Sequence, residues 1–259
     1  MASTDFLKAN FGIEIEMTGI TRNKAAKVAA EYLGGTVEKL NDSKDTHKIT
    51  APDGRIWNVV YDGSIYTQKK VNGLKVSANK DYSVELVSPI LKYEEDIETL
   101  QELVRRLRKA GAFSESQNKT GIHIHLNGAD HTPRSLRNFV NIVYSRNDLL
   151  YDSLQVEEER KSYCKKMDED LVNRMNRRKP ATFNQIEEIW YEGYGPVRRQ
   201  HYHKSRYHFL NLHSFFNGVG TVELRGFNGT LHAGEIRAYI VLALAMNHQA
   251  LTQKSASTK

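Results

Sequence analysis

Residues 11–17 read Phe-Gly-Ile-Glu-Ile-Glu-Met, and they alternate without a break: Phe11, Ile13, Ile15 and Met17 point one way, Glu14 and Glu16 the other. A period of two is the period of a β-strand. The apolar side needs a core, and the opposite side sets two carboxylates next to each other. The pattern recurs twice further along. Gly121–His125, GIHIH, places His123 and His125 opposite Ile122 and Ile124, and TVELRG from Thr221 places Glu223 and Arg225 opposite Val222 and Leu224. Three strands with ionisable pairs on one face predict a sheet that packs a core on one side and gathers carboxylates, imidazoles and a guanidinium on the other.

Working outward from these strands, Thr21 precedes the alanine-rich NKAAKVAAEYL, which stops at Gly34 and Gly35, as a capped helix should. HKITAPDGRIWNVVYDG carries Pro52, Asp53 and Gly54 between two β-rich runs and predicts a hairpin. YSVELVSP supplies another strand. Ile97, Leu100, Leu103, Val104 and Leu107 recur at helical spacing before Gly111, and Pro133 opens a further helix carrying Leu136, Phe139, Val140 and Val143. The charged stretch to Arg178 is expected to continue mostly helical. Residues 180–204, including YEGYGPVRRQHYHK, read as a long basic loop suited to a lid or substrate contact. RYHFLNLHSF and TVELRGFNGT predict a strand pair, EIRAYIVLALAMNHQAL a closing apolar helix, and QKSASTK a frayed tail. The expected organisation is one α+β domain over 1–259, with a core at 10–251, a helical and basic insertion at 134–205 and a disordered tail at 252–259.

Composition bounds what such a domain does. The 259 residues are 39% hydrophobic and 26% charged, a globular balance with room for a substantial core. No run approaches the roughly 18 apolar residues of a membrane span, and the N-terminus lacks a signal-peptide layout, so a cytoplasmic location without membrane association is expected. The single cysteine, Cys164, excludes an intrachain disulfide and reads as part of a solvated helix. The net charge of +6 points to anionic partners. That excess gathers at Arg174, Arg177, Arg178, Lys179, Arg198, Arg199, Lys204 and Arg206.

Adjacent glutamates on one strand face repel each other unless a cation sits between them. Carboxylate oxygens with an occasional imidazole suit magnesium or manganese, particularly where nucleotide phosphates complete the shell. From the residues alone, Asp62 before Gly63 also fits a plain turn, Glu85 a solvent-facing position, and Arg206 a basic surface.

The order FGIEIE, YDGS, VELVSP, GIHIH, RYHFLNL and TVELRGFNGTL resembles the amidoligase family, itself similar to glutamine synthetase and glutamate–cysteine ligase, over roughly 11–251. The resemblance implies a mainly antiparallel sheet curved into a partial barrel, with helices on its outer side and the active site in the concave face. It also implies an ATP-dependent, ADP-forming carboxylate–amine ligase using Mg or Mn. By similarity, Glu14, Glu16, Asp62, Glu85, His123 and Glu223 correspond to metal ligands, and His125 to a phosphate or nucleotide contact. Arg225 and Arg206 correspond to groups that hold the transferred phosphoryl or the substrate carboxylate, with Glu223 at the catalytic centre beside them. The implied substrates are a small-molecule or peptide carboxylate and an amine acceptor. No residue stands out as a general base, and the sequence leaves the substrates' identities and the oligomeric state open. Two rival readings are a zinc hydrolase built on His123, His125 and a carboxylate, which metal analysis and nucleotide protection separate from the ligase, and a nucleic-acid-binding module using the basic stretch 174–206, against which the sharpest residues are acidic and lie on strands.

Overall fold

Phe11, Ile13, Ile15 and Met17 are buried at 2% exposure or less along β1 (Asn10–Met17), so the alternation read from the sequence is realised. The structure is a computed structural model and describes residues 5–195, 200 and 202–258. In chain order β1 is followed by α1 (Arg22–Leu33), β2 (Thr36–Lys39), β3 (His47–Thr50), β4 (Ile56–Val60), β5 (Gln68–Val71), β6 (Leu74–Ser77), β7 (Val84–Val87), β8 (Leu91–Lys92), α2 (Tyr93–Lys109) and β9 (Gly121–Asn127). Then come α3 (Pro133–Ser145), α4 (Asn147–Ser153), α5 (Glu169–Arg178), α6 (Phe183–Tyr191), β10 (Leu210–Asn211), α7 (His213–Phe216), β11 (Thr221–Asn228) and α8 (Ala233–Thr252). Among the described residues no helix is long and apolar enough to cross a membrane.

The chain divides into two compact units. One comprises residues 1–11, 124–226 and 241–259, the other 12–123 and 227–240. In the second unit β1 pairs with β7, β7 with β4, β4 with β3 and β3 with β2, every pair antiparallel. This run ends at β2 and does not close into a barrel. α1 packs on β2, β3 and β4 and meets α2. Its buried residues Ala25, Ala26, Ala29 and Ala30 are small enough to bring the helix close to the sheet, while α2 buries Leu100, Leu103, Val104 and Leu107. Thr21 accepts a hydrogen bond from the Lys24 amide, and Gly34 ends α1 at φ 67° with a conformation that suits glycine.

In the first unit α3 packs against α5 and α6, and α5 against α6. Thr132 closes a capping box with Ser135 at the start of α3. β10 pairs with β11 through Leu210 opposite Leu224 and Asn211 opposite Glu223. The expected long strand at RYHFLNLHSF is only these two residues. Lys204–Arg206 forms a 3-10 turn capped by the His203 side chain, and His213–Phe216 forms a short helix after Asn211 Oδ1 accepts the His213 amide at 2.8 Å. Gly226 on β11 leaves room for the Phe209 ring, which a Cβ would meet at 1.9 Å.

Three further expectations change. The stretch to Arg178 is not one helical run: α4 ends at Ser153 and α5 starts at Glu169. Between them lies Cys164, which is fully buried rather than solvated, and burial pushes its thiol up. The long loop from Pro180 contains α6, opened by a capping box of Thr182 and Gln185. Of the expected lid, residues 196–199 and 201 lie outside the described residues. At the C-terminus Asn138 donates to the Gln253 carbonyl at 2.7 Å and accepts from the Ala256 amide at 3.1 Å.

Candidate metal centre on the sheet

Glu16 on β1 and Glu85 on β7 are register partners, directly opposite each other across an antiparallel pair. Both are buried, at 3% and 6% exposure. Like charges in that position destabilise a sheet unless something offsets them. Their strand neighbours Ile15 and Leu86 are also register partners, buried on the opposite face. Period two therefore forces the carboxylates onto the other face together.

Three more groups join them in the same unit. Glu14, two residues before Glu16, brings Oε2 to 3.0 Å from His123 Nδ1, and His123 Nε2 lies 3.8 Å from Glu16 Oε1. The imidazole thus stands between two carboxylates. With its proton on Nδ1, it donates to Glu14 and turns the Nε2 lone pair towards Glu16. Asp62 follows β4 and makes the turn that its Asp-Gly sequence suggests, Oδ1 accepting from the Ser64 amide at 2.6 Å. It also takes part in the cluster. Glu14, Glu85 and His123 each offer a ligand atom within 4.8 Å of the others, and so do Glu16, Asp62 and Glu85. Glu85 belongs to both sets.

The electrostatics agree with that crowding. Burial, and then the charges of Glu14, Glu16 and Asp62, hold the Glu85 carboxyl well above its usual range; Lys44 acts weakly in the opposite direction. Backbone and hydroxyl groups fix the carboxylates. The Gly121 amide donates to Glu16 Oε2 at 2.6 Å, and the Ser114 hydroxyl donates to the Glu16 carbonyl at 2.6 Å. Ser83 clamps Asp62, its Oγ accepting from the Asp62 amide at 3.1 Å and donating to the Asp62 carbonyl at 2.5 Å. Sequence reasoning missed Ser83, Ser114 and Lys44. Ser83 stands two residues before Glu85, but nothing local announces a partner 21 residues back.

The remaining expected site residues belong to the other unit. Glu223 and Arg225 are buried on β11, with Arg225 Nη1 donating to Glu223 Oε1 at 2.5 Å and Asn211 Nδ2 donating to Glu223 Oε2 at 2.6 Å. Arg160 holds the Arg225 carbonyl at 2.7 Å. His125 Nδ1 lies 2.8 Å from the Thr221 hydroxyl, which the Ser214 hydroxyl also meets at 2.8 Å. Half-buried Arg206 lies over the Tyr202 and Tyr207 rings at 5.3 and 5.8 Å.

A family model described as a putative amidoligase enzyme matches residues 7–247. The chain belongs to the amidoligase family. That match covers every site residue named above, and it makes the protein a ligase-type enzyme. No curated protein matches this amidoligase chain.

Proposed function

We propose that the protein is an ATP- and Mg2+- or Mn2+-dependent carboxylate–amine ligase working through an acyl phosphate, in a catalytic domain of the glutamine-synthetase-like kind. The observation that carries this reading is the facing pair of Glu16 and Glu85 with Glu14, Asp62 and His123 around them. The donor set fits hard divalent cations: four carboxylates and one imidazole, with Glu85 common to both candidate sets. Burial and the neighbouring carboxylates raise Glu85, and a bound cation would offset both, which supports the same reading. A zinc hydrolase fits less well, because catalytic zinc sites favour several histidines over a carboxylate majority.

When bound, the cations would neutralise the β- and γ-phosphate oxygens of ATP. The substrate carboxylate oxygen attacks the γ-phosphorus and ADP leaves. The amine nitrogen then attacks the acyl carbon, phosphate departs, and the nitrogen gives up a proton to complete the amide. In this scheme Glu14, Glu16, Asp62, Glu85, His123 and Glu223 hold the cations. His125 contacts the nucleotide, and Arg225 and Arg206 meet the moving phosphoryl or the substrate carboxylate, as bidentate donors suit. Ser83, Ser114 and the Gly121 amide keep the carboxylates in place and exchange nothing with substrate.

The test is a screen of carboxylate and amine pairs for amine-dependent nucleotide cleavage in the presence of Mg2+. The reading expects stoichiometric ADP and phosphate with some pair. AMP and pyrophosphate would overturn the acyl phosphate; tightly held zinc with cleavage of a substrate in the absence of ATP would overturn the ligase.

A further inference from the structure

A second polar recess lies within the first unit, among the N-terminal cap and first turns of α5, the end of α6 and the 3-10 turn at Lys204–Arg206. It is a cavity of about 200 Å3, room for a ligand of several heavy atoms. Trp190 lines it. That side chain is 2% exposed, and its Nε1–H meets no hydrogen-bond acceptor. Buried donors are ordinarily satisfied, so an orphan indole N–H on a cavity wall marks the place of a missing acceptor.

Arg174 lines the same cavity and shows the same deficit, with a buried Nε that lacks a hydrogen-bond partner. The nearest carboxylate, Glu192, stays 3.9 Å from Arg174 Nε and is taken by Arg178 Nη1 at 2.7 Å. Lys165 adds a second positive charge to the wall. The donors therefore ask for an anionic acceptor, and a guanidinium edge beside an indole N–H suits the two oxygens of a carboxylate.

The rest of the wall asks for the opposite. Asp168 uses Oδ1 to cap α5 through the Leu171 amide at 2.9 Å and presents a carboxylate to the cavity. His208 has its Nδ1 3.1 Å from the Ser205 carbonyl, which places the proton on Nδ1 and leaves Nε2 an acceptor. Its burial pushes its pKa below the ordinary histidine value, favouring the neutral ring. Donors and acceptors in one small space match a carboxylate with an N–H close beside it.

We propose that this cavity binds a small carboxylate flanked by an N–H group, its oxygens received by Arg174 and Trp190 Nε1 and its N–H facing Asp168 and His208. A free amino acid and the C-terminal end of a peptide share that chemistry. The cavity shares no residue with the carboxylate cluster on the sheet, and the proposal does not depend on the ligase reading.

The chain has two tryptophans, Trp57 and Trp190, so a 1H–15N correlation spectrum of the full protein shows two indole signals, with Trp57 on β4 as an internal reference. Glycine and N-acetylglycine, titrated separately at constant ionic strength, probe the two ligand sources, and glycinamide serves as the control without a carboxylate. The proposal expects a saturable shift of the Trp190 signal with at least one carboxylate, a still Trp57 signal and no response to glycinamide. Arg174→Gln should raise the half-saturating concentration at least tenfold. Should that variant lose signal dispersion, Trp190→Phe, followed by calorimetry, should weaken the same binding severalfold. An unshifted Trp190 signal with both carboxylates, an equal response to glycinamide, or unchanged affinity in the folded variants would overturn it.

Discussion

Replacing Glu85 by Gln should stabilise the protein without cations and destabilise it, relative to wild type, with them. Glutamine keeps the size and one carbonyl oxygen but removes the charge. Glu85 offers an oxygen within 4.8 Å of an oxygen of Glu14 and of oxygens of Glu16 and Asp62, and a like-charge carboxylate pair at that distance costs about 3.5 kcal/mol at an effective dielectric near 20. Burial first, and this repulsion second, raise the Glu85 carboxyl above its usual range, so it holds its proton to higher pH than a free carboxyl does. The sign follows. The folded state holds a proton that the unfolded chain has lost, so stability falls as pH rises from the ordinary value of 4.5 through the raised folded value. At alkaline pH the removal of this charge in Glu85→Gln should raise the melting temperature, by roughly 2–4 °C for each kcal/mol relieved in a chain of this size. Saturating Mn2+ adds about 2.7 kcal/mol to wild type at 100 times its dissociation constant. The variant lacks the carboxylate shared by both ligand sets and should gain less, so the order of melting temperatures reverses. Circular-dichroism melts between pH 5 and 8.5, with chelator or with MnCl2, read all of this. A variant that melts below wild type in chelator, with both proteins raised equally by MnCl2, would refute the reasoning.

Glu14→Ala and Glu16→Ala should both abolish cation binding but differ in stability. Glu16→Ala orphans the buried Gly121 amide and should cost about 1–3 kcal/mol, whereas Glu14→Ala removes a half-buried charge from a crowded face and should melt no earlier than wild type in chelator. Urea unfolding monitored by fluorescence distinguishes them; equal losses would show that Glu14 is structural. Gly226→Ala should destabilise by about 1–3 kcal/mol, because its Cβ would enter the Phe209 ring. Wild-type stability in that variant would mean that Phe209 moves aside at no cost.

How much of this was legible in the sequence follows from the range of each interaction. The alternation in β1, β9 and β11 is local, and it correctly separated core from polar face. Caps and turns were equally readable at Thr21, Gly34 and Pro133. The β5–β6 hairpin was missed although Asn72 and Gly73 take positive φ, 50° and 82°, as an Asn-Gly hairpin turn requires. Its strands are only four residues long, and their apolar residues Val71, Leu74 and Val76 are interleaved with lysines and stay exposed. α6 was hidden by the glycines and tyrosines after it, though Thr182 and Gln185 spell a capping box. Cys164 was misjudged because its charged neighbours suggested solvent. Glu14, Glu16 and His123 could be placed on a shared face by period alone. The opposition of Glu16 and Glu85, and the Ser83 clamp on Asp62, depend on strand register, which no local pattern encodes.

The central claim is that this carboxylate face holds the divalent cations through which ATP binds. Calorimetric titration of ATP into the protein, once with Mg2+ and once with excess chelator, tests it most directly. The account predicts a saturable isotherm with Mg2+ that disappears with chelator and is lost in Glu85→Gln; equal ATP affinity under both conditions would contradict it.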